Sequence, residues 1–308
     1  MMKISIIVST RNRAYAIESC LGSIAAALSV VKREVDAELL VVDNGSTDDT
    51  AARVSAWAGN QDFPVRLIFE PRKGLSVARN RGLREANGAV IAFTDDDCRL
   101  SRSYFRDLLR HFEADEEPVL RGGRVELGDP LDLPLSTKTV DKKLVWKRSE
   151  ATARRQNLGD TVIGCNMAIS REIIRRIGPF DERLGAGASI PGGEDTDYVL
   201  RAYRAGFPIC YVPDMTVIHC HGRKVALQGQ ALLKNYALGW GALYLKYMFV
   251  FPELCLPFYW DIKNAGKEIL LRRNTFLPLV NFSHREKVFY SVIGAARFVF
   301  SFLRKSRI

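Results

Sequence analysis

The sequence has no cysteine pair at C-x-x-C spacing: its six cysteines, at 20, 98, 165, 210, 220 and 255, lie far apart. That argues against a zinc ribbon or a disulfide framework, and a reducing cytoplasm is its simplest home. There is no G-x-G-x-x-G after the first apolar run and no G-x-x-x-x-G-K-S/T anywhere, so neither a dinucleotide-binding fold nor a P-loop is supported. The apolar core of the opening stretch, Ile4 to Val8, is too short for a signal peptide, and Arg11-Asn12-Arg13 follows at once. The aromatic stretch over 242–260 fails as a spanning helix because Lys246, Pro252, Glu253 and Pro257 interrupt it.

What the chain does contain is a set of apolar runs alternating with amphipathic segments. Its 308 residues, 47% of them hydrophobic, suffice for one large α/β domain with an appendage, or for two domains. A formal net charge of +10 favours anionic partners, whether nucleotides, acidic lipid surfaces or nucleic acid. The patterning predicts strands over 4–9, 38–43, 65–70 and 89–94, alternating with helices over 14–31, 47–58, 75–86 and 101–114. Such alternation implies a mainly parallel sheet with right-handed crossovers, whose ligand-binding edge is shared by the residues just after each strand.

Those strand ends are polar: Ser9-Thr10-Arg11-Asn12-Arg13, Asp43-Asn44-Gly45-Ser46-Thr47-Asp48, Glu70-Pro71-Arg72-Lys73-Gly74 and Thr94-Asp95-Asp96-Asp97-Cys98. Asp43, with Asn44 beside it, can accept hydrogen bonds from a base or ribose, while Arg11, Arg13 and Arg72 suit a diphosphate. Three adjacent carboxylates repel one another, and a compact cation relieves the repulsion while keeping coordination positions for a phosphate. A second reading is a solvated turn whose aspartate caps the next helix. Likewise Asn44-Gly45 makes a turn and Ser46 with Asp49 resembles a capping box, a role compatible with a ligand-facing Asp43.

In the second half an extended segment is predicted over 119–127, weakened by Gly122-Gly123. Residues 128–160 mix prolines with Lys138, Lys142, Lys143, Lys147, Arg148, Arg154 and Arg155, either a solvated basic excursion or a flap over the site. The glycine-rich loop over 185–193 has the flexibility to admit substrate and then order. Glu194-Asp195 follows, just before a helix predicted over 196–205. Acids there complement the macrodipole, and their adjacency with partial burial also raises a pKa and poises a base. The strand pattern over 216–221 sets His219 and His221 on one face, as metal ligands or as surface histidines. An oxygen-dominated site with one imidazole suits manganese or magnesium better than zinc. After Gly222 helices follow without strands, and the apolar segment over 288–303 ends in Arg304-Lys305-Ser306-Arg307. Such helices lie in a membrane interface, form a subunit contact or pack on the catalytic part.

Four segments, Ser9 to Arg13, Val41 to Asp48, Gly74-Leu75-Ser76-Val77-Ala78-Arg79-Asn80-Arg81-Gly82 and Asp95-Asp96-Asp97, resemble in order and spacing the motifs of the family 2 glycosyltransferases. The resemblance implies a GT-A type sheet flanked by helices as a catalytic domain over 1–224, and a C-terminal helical extension over 225–308 that is membrane-interfacial or oligomerising. By it, Thr10 and Asp43 contact the nucleoside, Arg72 meets base or phosphate, and Arg79-Asn80 has a bracing role. Asp95 and Asp97 form the D-x-D, with Asp97 foremost on the metal and Asp96 near the ribose. The segment Gly164 to Ala168 is similar to a G-x-N-x-A that lines the sugar site, so Asn166 either meets donor or acceptor or is a satisfied buried asparagine. Glu194-Asp195 resembles the E-D motif, with Asp195 as general base and Glu194 orienting it. A histidine from the later strand completes the metal site, His219 before His221.

The activity so implied is metal-dependent inverting transfer of a sugar from a nucleotide-diphosphate donor, a UDP-sugar, to a hydroxyl of a glycan or lipid-linked acceptor. Mn²⁺ or Mg²⁺ would be the cofactor, polysaccharide biosynthesis the setting, and the cytoplasm the place, with peripheral attachment to the inner face of an anionic membrane. No nucleic-acid partner is expected, and an oligomer is compatible with this reading. A sugar-nucleotide pyrophosphorylase would open with a glycine-rich loop that Ser9 to Arg13 lacks. A basic nucleic-acid-binding scaffold would leave the strand-end acids repelling phosphates.

Overall fold

The structure, a computed structural model, describes residues 1–148 and 158–305, and their side chains except those of 160 and 302–305. The first half alternates as its pattern predicts. Strands β1 (Met2–Thr10), β2 (Val35–Asp43), β3 (Val65–Phe69) and β4 (Val90–Asp95) are linked by helices α1 (Ile17–Val30), α2 (Thr50–Ala58) and α3 (Leu75–Glu85). The three pairings among these strands are all parallel, in the order β3-β2-β1-β4. Alternation splits each strand between two cores. Ile4, Ile6 and Val8 join Leu39, Val41, Val90 and the α1 residues Ile17, Leu21 and Ile24 on one face. Ile7, Leu40, Val42, Ile91 and Phe93 belong to the core of the other face. Burial on both faces is why these strands read as continuous apolar runs.

Beyond β4 the sheet becomes mixed. The order continues β4-β8-β6-β9-β5, with β7 (Leu144–Trp146) paired to β9 (Ile209–His219). Here β5 (Cys98–Leu100), β6 (Leu120–Leu127) and β8 (Met167–Ser170) complete the nine strands among the described residues. The parallel arrangement therefore holds for the first four strands and again for β6–β9, while β4–β8, β6–β8, β5–β9 and β7–β9 are antiparallel. The aspartate triplet does not run directly into a helix. Asp96 and Asp97 form the turn between β4 and β5, β5 pairs with the end of β9, and α4 (Tyr104–Glu113) starts three residues later than its pattern suggested. The partner of β5 lies more than a hundred residues away, so no local pattern could announce it.

Part of the basic excursion after Gly128 is anchored rather than solvated. Val125 and Lys138 form a β-bridge, β7 lies against β9, and the Tyr211 hydroxyl donates to the carbonyl of Val140 at 2.9 Å. Arg154 and Arg155 lie outside the described residues.

Helix α5 (Arg171–Ile177) follows β8, and helix α6 (Glu194–Arg204) begins two residues before its predicted start, because Gly193 at φ +84° turns the loop straight into the first helical turn. The C-terminal region is helical: α7 (Ala226–Tyr247), α8 (Cys255–Leu271) and α9 (His284–Lys305). Leu238, Ala242, Leu243 and Tyr247 of α7 and Phe298 of α9 share one core with the sheet and α6. Where α7 and α9 cross, a Cβ on Gly241 would lie 1.7 Å from the Ser291 carbonyl oxygen, and one on Gly294 would lie 1.9 Å from that of Leu238. Two glycines thus let the helix backbones touch.

Candidate active site

The sheet register brings the strand ends together. Thr10 is level with Asp43 on β2, and Ser9 with Asp95 on β4. Against this edge lies a cavity of about 710 Å³, lined by Thr10, Arg11, Arg13, Asn44, all three aspartates of the triplet, Glu194, Asp195 and His219. Its volume lies within the range of sites that enclose small-molecule ligands. Segments 136–138, 162–165, 186–187 and 191–196 close its sides, and α7 completes the wall with Leu232, Asn235, Tyr236, Trp240 and Leu243.

The three aspartates face different partners. Asp95 accepts from Arg79 Nη2 at 3.1 Å, Asp96 from Arg13 Nε at 3.1 Å, and Asp97 from Arg13 Nη2 at 3.3 Å. Burial pushes the Asp96 carboxyl up to about 6, with Arg13 opposing the shift. Burial also works against ionised Asp97, but His219 and Arg13 more than offset it and hold its pKa below the usual value. Burial lowers the His219 imidazole, yet the Asp97 carboxylate prevails and leaves it at about 9.

The residues that could hold a divalent ion are Asp97 and His219, whose Oδ1 and Nε2 stand 3.4 Å apart. Together with buried Cys98, whose Sγ is 3.8 Å from the same Oδ1, they offer ligand atoms within 4.8 Å of one another. Paired carboxylate oxygen and imidazole nitrogen on a cavity wall fit a manganese- or magnesium-class ion. Asp95 does not belong to that group among the described residues; its carboxylate is turned to Arg79. His221 is also excluded. The strand ends at His219, so face alternation does not extend to residue 221. The His221 Nδ1 accepts from the Arg223 N–H at 3.0 Å and its Nε2 donates to the Leu133 carbonyl at 3.2 Å, leaving no lone pair for a cation.

Arg79 joins the two acid sets. Buried against Phe93 and Phe180, it meets Asp95 on one side and Glu194 Oε1 at 3.3 Å on the other. The bracing role expected of Arg79-Asn80 extends to Asn80, which exchanges hydrogen bonds with the backbone of Phe180. Burial and the neighbouring Asp195 push Glu194 up to about 7, with Arg79 opposing. Asp195 lines the cavity; its Oδ2 accepts from the Gly164 N–H at 3.0 Å and its Oδ1 from the Thr196 N–H at 2.7 Å.

Four residues predicted to meet a ligand are engaged within the protein instead. Asn166 is fully buried, accepting from the Tyr104 hydroxyl at 2.9 Å and donating to the carbonyls of Arg124 and Met215 at 2.8 Å, so it is a satisfied core asparagine. Arg72 is exposed and held by Glu70 and Glu182, at 3.1 Å each, outside the cavity. Asn44 lines the cavity, but its amide is engaged by the backbone of Glu70, Arg72 and Gly74. Asp43 is buried beside Thr10, accepting from the Ser46 N–H at 2.8 Å, and is not among the lining residues. Sequence reasoning missed Arg223, Tyr236 and Trp240; the last two are four residues apart, a helical spacing that marks one face.

A model of glycosyl transferase family 2 matches residues 5–178, more than half of the chain. The chain belongs to this family. A glycosyltransferase named AglE from Haloferax volcanii is 28% identical over 240 residues, covering 78% of this chain and 73% of that protein. A probable glycosyltransferase, YdaM of Bacillus subtilis, is 26% identical over 216 residues, 68% of this chain and 49% of its own length. Among solved structures, the mannosyltransferase PcManGT from Pyrobaculum calidifontis, in complex with GDP-Man and Mn²⁺, superposes with a TM-score of 0.63 at 19% identity. That match covers 97% of this chain and 87% of the other. Residues 1–349 of TarS from S. aureus, in complex with UDP, give 0.58 at 16% identity, covering 97% and 92%. At such identities the likeness carries the fold, which is GT-A. This family 2 glycosyltransferase is therefore a transferase enzyme, and neither a pyrophosphorylase nor a basic scaffold.

Proposed function

We propose that this glycosyltransferase moves a sugar from a nucleotide-diphosphate donor, a UDP-sugar, to a hydroxyl of a glycan or lipid-linked acceptor, with inversion at the anomeric carbon. One observation supports this most: a cation-type pair, Asp97 with His219, and a base-type pair, Asp195 with Glu194, line the same cavity. Thr10, Arg11 and Arg13, on the cavity wall, would bind the nucleotide's polar groups, with Asp96 on the ribose side. Asp97 and His219 would hold a Mn²⁺ or Mg²⁺ ion, which when bound neutralises charge on the diphosphate leaving group.

Asp195 is the general base. Two backbone N–H donors fix its carboxylate, which takes the proton of the acceptor hydroxyl as that oxygen attacks the anomeric carbon from the face opposite the diphosphate. Glu194, tied to Arg79, positions it. The carbon–oxygen bond to the acceptor forms as the bond to the diphosphate breaks, with no covalent enzyme intermediate. Tyr236 and Trp240 of α7 supply the apolar surface on which a sugar ring can rest. The catalytic domain over 1–224 thus borrows part of its site from the helical extension over 225–308. A thermal-shift panel of nucleotide sugars with Mn²⁺ tests the reading: a UDP-sugar is expected to raise the melting temperature, and stabilisation by none of them contradicts it.

A further inference from the structure

Helix α8 is built inside out. Its buried positions include Asp261 and Glu268, 5% and 1% exposed, while Leu256, Tyr259, Trp260, Ile262, Ile269 and Leu270 face solvent. The carboxylates are held internally. Asp261 meets His284 Nδ1 at 2.9 Å and Lys287 Nζ at 2.8 Å, and Glu268 accepts from the Thr275 N–H at 2.8 Å and the Arg285 N–H at 3.2 Å. Helix α9 continues the pattern, with Phe289, Val292 and Phe300 exposed at helical spacing. Of the 25 large apolar side chains exposed among the described residues, 15 lie between 248 and 300. A helix in water turns its apolar stripe inward. A concentration this strong needs a partner that covers it.

Charge selects the partner. Residues 248–308 carry ten Lys and Arg against four Asp and Glu, a surplus of six out of the chain's +10 in a fifth of its length. None of those four acids is exposed, whereas Lys263, Lys267, Arg272, Arg273, Arg285 and Arg297 are. Lys263 Nζ lies over the Trp260 ring at 4.8 Å, an aromatic–cation pair of the kind that sits at headgroup depth. A second copy of this chain would set basic face against basic face and be repelled. No helix among the described residues is long and apolar enough to cross a membrane, so contact from one side is the available mode.

We propose that the exposed face of α8 and α9 is a docking surface for an anionic lipid bilayer, lying in the headgroup plane. The contact is rigidly joined to the cavity. Gly241 and Gly294 lock α9 onto α7, and α7 forms the cavity wall, so docking sets the cavity at a fixed height above the lipid. Its use for catalysis rests on the reading above: an acceptor carried on a lipid would meet the cavity at that height.

Vesicle flotation of the full chain tests the surface, comparing phosphatidylcholine mixed with phosphatidylglycerol against phosphatidylcholine alone. The expected result is binding to the anionic vesicles only, weakened by salt, with about fivefold lost for each charge removed in Lys263→Gln and Lys267→Gln. Trp260→Ser with Leu270→Ser should abolish flotation while the UDP-induced rise in melting temperature persists. If the parent chain fails to float, or floats equally on both vesicles and the variants match it, the proposal is overturned. It is overturned too if Leu270→Ser dissolves a dimer while no vesicle binding occurs. Loss of the UDP response with flotation intact would instead remove the nucleotide reading and leave the surface standing.

Discussion

Arg79 sits where the two halves of the site meet, and its removal separates them. Replacing it with Met strands Glu194 against Asp195 and leaves Asp95 without its cation. Breaking a buried pair of this kind costs about 3 kcal/mol, and the urea midpoint of Arg79→Met should fall accordingly; an unchanged midpoint would show that the bridge carries no stability. Asp195→Asn should lower transfer by about 10²- to 10⁴-fold with donor affinity kept. Retained turnover would move the base elsewhere. Glu194 supplies a pH dependence with a definite sign. Its folded-state pKa, pushed by burial to about 7, lies above that of an unfolded glutamate. Its contribution to stability is therefore full at low pH and is lost as pH rises through about 7. Between about pH 5 and pH 8 the parent should lose more stability than Glu194→Gln, and parallel curves would contradict the assignment. The place of Asp97 and Asp195 on one cavity wall was legible because each stands next to a local signal, a strand end or a glycine loop. Asn166 was ambiguous because its partners Tyr104, Arg124 and Met215 lie 42 to 62 residues away. His221 was miscast by extending a strand that ends at His219.

Among the elements, the parallel half of the sheet was readable from period and strand-end polarity, since each strand there is joined to the next by a helix. The mixed half was not. Strands β5 and β8 are three and four residues long and are defined by distant partners. The largest omission was the part that α7 plays in the cavity wall. The amphipathic pattern of this helix is weak because one side packs on the core, another lines the cavity, and a third meets α9. Only the close helix crossing reveals why Gly241 and Gly294 stand where they do. Gly241→Val should push α9 off α7 and destabilise the protein by about 1–3 kcal/mol. The melting temperature should fall and UDP stabilisation shrink, because the displaced helix forms the cavity wall. Gly266, which has nothing near its Cβ position, should accept Ala without such loss and serves as the control.

Across the whole molecule, charge is divided by region. Acids gather at the sheet edge among Arg11, Arg13 and Arg79, while the exposed charge of the C-terminal helices is basic. The composition alone showed the surplus but not its location, since every candidate anionic partner is consistent with +10. Position separates the two populations, and the proposals rest on that separation: arginines within a cavity beside acids would suit a chelated diphosphate, and lysines around exposed aromatics would suit a lipid surface. The most direct measurement is calorimetric titration of UDP into the parent chain and Asp97→Ala, each with and without Mn²⁺. Binding is predicted for the parent with Mn²⁺, falling sharply when either the ion or the carboxylate is removed. Equal affinity in all four titrations, or no UDP binding by the parent in the presence of Mn²⁺, would contradict a metal-assisted nucleotide site in this cavity.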